Sequence, residues 1–167
     1  MIDDELRAWE TQLVPEVLPV LTSILNGARA AVIAKVTGLT AEQGRTSGVP
    51  SGTSPHGLLR HLADAEKYWF EVAFLGLDEP VDFSASLVPE GATEASLLAG
   101  YRAAIRRSNE IIAGAGDPLA RGTGDREQSL QWIIAHMIQE TARHAGHADI
   151  LREQLDGTTG HRVPRTS

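Results

Sequence analysis

Residues 136–147 read HMIQETARHAGH and gather one glutamate and three histidines in a short span. Imidazole nitrogen and carboxylate oxygen are the donors that divalent first-row metals take. Glu140 and His144 stand four apart, so on a helix turning about 100° per residue they lie about 40° apart on one face. The apolar steps Ile133, Met137, Ala148, Leu151 and Leu155 run through positions 140 and 144. The pair therefore interrupts a stripe that should be buried. An unpaired carboxylate there would be costly or would take up a proton, and a metal ion answers both residues at once.

Spacing leaves the ligand set open. His136 falls about 40° to one side of Glu140, and His147 about 20° to the same side, so all four polar groups fan across one strip. Any three could ligate. His136, one turn away, could orient a ligand or line a pocket, and His147 reads as a supporting histidine rather than a fourth ligand. His61, on the apolar side of another helical segment, offers a donor from across a bundle. The plainer alternative is a satisfied core histidine beside an ion-paired glutamate.

The elements that must position these groups are helices. A three- and four-residue apolar step (Val17, Leu18, Leu21, Ile24, Leu25, Ala28, Val32, Val36) predicts a first helix over about residues 16–37, with Gly38 as its stop. Thr40 could cap a short turn of helix over residues 39–44. Ser54 followed by Pro55 starts a second helix, whose stripe Leu58, Leu62, Ala65, Trp69 and Val72 carries it to about residue 75. Residues 77–91 form a long connection. A third helix is expected over about residues 93–113 and a fourth over about 129–155, closing at Gly157. No alternating period-two segment and no internal repeat occur. The reading is all-α: one four-helix domain over residues 1–157, then a flexible tail over 158–167. Trp69 and Trp132 are expected in the core, the glycines of 114–124 in a plain loop. His56 and His161 receive no role.

Composition removes several function classes. The chain has 167 residues, a net charge of −7 and no cysteine. Its acidity argues against a nucleic-acid surface. Without cysteine there is no disulfide framework, thiolate metal site or cysteine nucleophile, so any reactive thiol must arrive as a cosubstrate. The first residues are acidic and amphipathic, unlike a signal peptide, and no run of about 18 apolar residues suggests a membrane span, so a cytoplasmic location is expected. H-E-x-x-H, G-x-S-x-G and phosphate-binding glycine motifs are absent.

The segments TSPHGLLRHLADAEKYWF and HMIQETARHAGHADILREQLDG resemble the DinB-like superfamily, in particular its mycothiol-dependent maleylpyruvate isomerase-like and thiol S-transferase branch. The resemblance implies an up-up-down-down four-helix bundle, a homodimer, and one divalent ion, zinc or nickel. It implies a histidine ligand on helix two and a pair four apart on helix four. Those positions fall on His61, Glu140 and His144, which selects the set that spacing left open. The implied activity is transfer of a low-molecular-weight thiol to a small electrophilic substrate. A metal-dependent hydrolase and a non-catalytic metal-binding stress-response dimer are the alternatives.

Overall fold

A computed structural model describes residues 16–83 and 88–160. The elements are α1 (Val17–Val36), a short α2 (Ala41–Arg45), α3 (Pro55–Glu66) continuing as a π-helical segment (Lys67–Phe74), α4 (Glu94–Ala115) and α5 (Leu130–Asp156). No strand occurs among the described residues; Arg121 and Ser129 form an isolated antiparallel bridge. The all-α bundle is as expected, with α1 packed most broadly on α5 and α3 on α4.

Local chemistry sets the ends. Ser54 Oγ accepts from Gly57 N at 3.2 Å with Pro55 in the first helical turn. Thr93 and Ser96 cap each other reciprocally at the start of α4. Thr40 and Gln43 do the same for α2. Gly116 and Gly157 end α4 and α5 in the left-handed conformation.

The long helices enclose two main apolar clusters. One joins Leu25, Phe70, Phe74, Ile112, Ile133 and Met137; the other joins Val32, Val36, Leu59, Leu62, Tyr101 and Ile105. A fully buried ion pair lies in this interior. Arg29 Nε reaches Glu66 Oε1 at 2.7 Å and Arg29 Nη2 reaches Glu66 Oε2 at 2.5 Å. Asn26 Oδ1 and Asn109 Oδ1 accept from Arg29 Nη1. Burial, and then the neighbouring Glu66 charge, push the Tyr101 hydroxyl pKa upward.

By length and composition α1 is long and apolar enough to cross a membrane, but its apolar stretch is not continuous, in keeping with the sequence. Asn26, Arg29 and Lys35 interrupt that run, and all three are buried within the fold. One sequence expectation needs correction, in α3. The predicted stripe ends on Val72, which is only half-buried, whereas Phe70, Ala73 and Phe74 are buried. Over Lys67–Phe74 the wider π turn rotates the buried face, a change that a 3.6-residue period cannot anticipate.

The tail expected from residue 158 is described as far as Gly160, whose carbonyl accepts from Lys35 Nζ. Residues 161–167, with His161, lie outside the described residues, as do 84–87 of the long connection.

Candidate metal centre

His61 rises from α3, and Glu140 and His144 stand one turn apart on α5. Their side chains converge. His61 Nε2 lies 3.1 Å and His144 Nε2 2.9 Å from the same oxygen, Glu140 Oε1. The two imidazoles meet edge to face with centroids 4.8 Å apart. One ligand atom from each residue can be chosen so that all lie within 4.8 Å of one another. Tetrahedral bonds of about 2.0–2.2 Å place neighbouring donors roughly 3.3–3.6 Å apart. The two contacts with Glu140 are therefore near ligand spacing, and the set, within 4.8 Å overall, can hold a divalent ion once its widest pair draws together.

The cluster sits at the edge of the core, not within it. The side chains of His61, Glu140 and His144 are 26, 19 and 15% exposed, which leaves a way in for water or substrate. On α5 the deeply buried steps are Ile134, Met137, Thr141, Ala145 and Ala148, so Glu140 and His144 face the rim of that stripe. Burial alone would raise the Glu140 pKa. Hydrogen bonds from His61 and His144, with their charges, outweigh it and hold the carboxyl below its usual range. Burial lowers His144, opposed by Glu140 and assisted by His61 and His147. Both shifts favour the ligating forms, carboxylate and neutral imidazole. Arg143 Nη1 lies 3.7 Å from the other oxygen, Glu140 Oε2.

The two flanking histidines of α5 take different places. His147 Nδ1 lies 3.2 Å from His144 Nδ1, directly behind the cluster. His136 instead enters a row of rings, parallel to Trp132 (centroids 5.2 Å, planes 3° apart) and 4.5 Å from Trp69. Burial first, then the Arg126 and Arg143 charges, lower its pKa against the opposing pull of Glu140.

Trp69 is a core residue as expected; Trp132, at 45% exposed, is not. The four-residue step that links Glu140 to His144 also runs back through His136 to Trp132, and that ladder was the available signal. Tyr68 and Phe83 continue the rings towards His61. Arg126, which sequence reasoning passed over, lies with its guanidinium carbon 5.3 Å from the Trp69 ring centre.

The glycine-rich loop before α5 places Arg126. Gly124 N donates to Ala73 O at 3.1 Å and Thr123 N to Phe74 O at 2.9 Å, so its backbone docks on the π-helical segment. A Cβ on Gly124 would overlap the Val72 carbonyl oxygen, and one on Gly122 would meet Ala73 O at 2.5 Å. These glycines are therefore required by a close backbone approach. His56 was also missed: it lies inside α3, fully buried, with neither ring nitrogen hydrogen-bonded.

The family model described as Mycothiol-S-transferase matches residues 20–157, which include all four long helices save the first turn of α1. No curated protein and no solved structure matches the chain.

Proposed function

The chain belongs to the mycothiol-S-transferase family, and on that premise we propose that it is a cytoplasmic, metal-dependent enzyme moving a low-molecular-weight thiol of the mycothiol type onto a small electrophile. The observation that carries this reading is the convergence of His61 Nε2 and His144 Nε2 on Glu140 Oε1 at a partly open edge of the core. A divalent ion, zinc or nickel, would supply there the positive charge that favours thiolate over thiol at neutral pH. His61, Glu140 and His144 would hold it, with Arg143 restraining the second Glu140 oxygen and His147 backing His144. The chain has no cysteine of its own, so the reacting sulfur comes from the cosubstrate. The thiol releases its proton to solvent, its sulfur bonds to the electrophilic carbon, and the group displaced from that carbon departs with the electrons of the bond that breaks.

The test is thiol transfer to a chromogenic electrophile by zinc- or nickel-loaded protein, compared with metal-free protein and with His61→Ala. Metal-dependent turnover lost in the variant is expected. Background turnover by protein with the site demonstrably filled would overturn the reading. A homodimer belongs to the same proposal. The exposed ridge of Val17, Val20 and Ile24 along α1 supports it, and sedimentation velocity checks it.

A further inference from the structure

Beside the three donor residues runs a strip of aromatic rings that leads from the core, at Trp69, out to the surface, at Trp132 and Phe83. Trp132 stacks on His136 with planes 3° apart, yet remains 45% exposed. Trp69 backs both rings from the interior, with centroids 5.6 Å from Trp132 and 4.5 Å from His136. Tyr68 meets Trp69 and Phe83 edge to face, and Phe83 reaches towards His61. The rings thus run unbroken from a metal-ligand candidate to an open tryptophan face. Exposed aromatic surface gathered in one patch marks a binding site, and here it adjoins a cluster of polar groups.

The strip also carries a fixed cation. Tyr68 OH donates to Asp125 Oδ2 at 2.8 Å and accepts from Arg126 Nε at 2.9 Å, so one hydroxyl holds both residues. That bond and the Trp69 ring fix the exposed Arg126 side chain. Among the described residues no carboxylate lies within ion-pair distance of Arg126, and neither Nη group has a hydrogen-bond partner. Arg143 adds a second cation beside Glu140. The adjacent carboxylate, Asp125, is occupied by Tyr68. Flat rings bordered by an arginine whose Nη groups have no partner among the described residues fit a flat anion.

We propose that this strip is the electrophile-binding face, and that it takes a planar aromatic molecule bearing an anionic substituent, with the ring on Trp132 and the anion on Arg126. The identity of the bound molecule as the electrophile rests on the S-transfer reading; the binding face itself does not.

The probe is naphthalene-2-sulfonate, a flat anion whose sulfonate is a poor metal ligand, titrated into zinc-loaded full-length protein by equilibrium dialysis. Cyclohexanesulfonate (an anion without a flat ring) and naphthalen-2-ylmethylammonium (a flat cation) are the comparisons. Saturable naphthalenesulfonate binding is expected, at least about tenfold tighter than either comparison. Trp132→Ala and Arg126→Gln should each weaken it about five- to tenfold. Both side chains are substantially exposed, and circular dichroism verifies that the variants fold. Equal binding of all three probes, or binding unmoved by both substitutions, would overturn the proposal. If naphthalenesulfonate binds as expected while the loaded protein transfers no thiol, the binding face stands and the S-transfer reading fails. If thiol transfer proceeds while both variants keep parental naphthalenesulfonate binding, only the binding face fails.

Discussion

The Nδ1 atoms of His144 and His147 lie 3.2 Å apart, a distance at which one ring must present its proton to the other. His144 Nε2 faces Glu140. If that nitrogen is to ligate, the His144 proton must sit on Nδ1, with His147 Nδ1 accepting it. His147 would then set the tautomer without being a ligand. Replacing it with Ala should weaken zinc binding about tenfold, the lower end of the usual range for such supporting groups, because His147 is exposed. The melting temperature of the metal-free protein should hardly move. Chelator competition measures the affinity, and an unchanged value would remove the tautomer argument.

Metal should also stabilise the fold, since its donors come from two helices that unfolding separates. Zinc at one hundred times its dissociation constant should add about 2.7 kcal/mol, raising the melting temperature in a concentration-dependent way. Glu140→Gln should abolish that dependence, because the shared oxygen Oε1 is the atom both histidines approach. Thermal scans across a zinc series decide the matter. A flat response in the parent protein would exclude a structural contribution from the ion.

The Arg29–Glu66 pair shows where sequence reading stops. Arg29 lies among buried residues of α1, and its partner is 37 residues away on α3. Helical periodicity identifies an interrupted face but not what completes it. The same limit applied to His61, which spacing alone could not join to α5; the family resemblance was needed for that. The helices, their caps and the Glu140–His144 pair follow local rules and were legible. The π turn, the docking of Gly124 and the Arg126–Tyr68 contact depend on long-range packing and were not. Trp132 was misjudged because an exposed ring and a core ring have the same spacing. Breaking the buried pair should be severe: Glu66→Ala leaves Arg29 charged and unpaired, a loss of about 3–5 kcal/mol. Urea unfolding should show the double variant Arg29→Met/Glu66→Leu recovering most of it. A single-variant loss below about 1 kcal/mol would mean that Asn26 and Asn109 suffice to satisfy Arg29.

Gly124 links that packing to the proposed binding face. Gly124→Ala forces the loop away from the Val72 carbonyl, and overpacking of this kind costs about 1–3 kcal/mol. Because Arg126 follows two residues later, its contact with Tyr68 should loosen and naphthalenesulfonate affinity should fall with stability. Gly146→Ala is the control: nothing lies within 4 Å of its added methyl, and a mid-helix Gly to Ala change should stabilise by about 0.5–1 kcal/mol. Gly124→Ala with parental stability and affinity would show that the loop can shift freely.

His56 should make stability fall on acidification. Its ring is buried against Gly44, with no hydrogen bond at either nitrogen. Burial lowers its pKa below 6.5, with Glu94 opposing and Arg45 assisting. The folded protein therefore binds fewer protons at this site than the unfolded chain, and stability rises with pH between the folded and unfolded pKa values. The contribution is complete above about pH 6.5 and is lost progressively as pH falls through that window. His136 and His144 also have lowered pKa values in the metal-free protein and add a slope of the same sign. The comparison is therefore between metal-free parent and metal-free His56→Leu, which retains those two groups and an apolar side chain beside Gly44. Melting temperatures from pH 7.5 to 5.0 should fall less steeply in the variant. Parallel curves would mean that the buried imidazole finds a way to accept its proton within the fold.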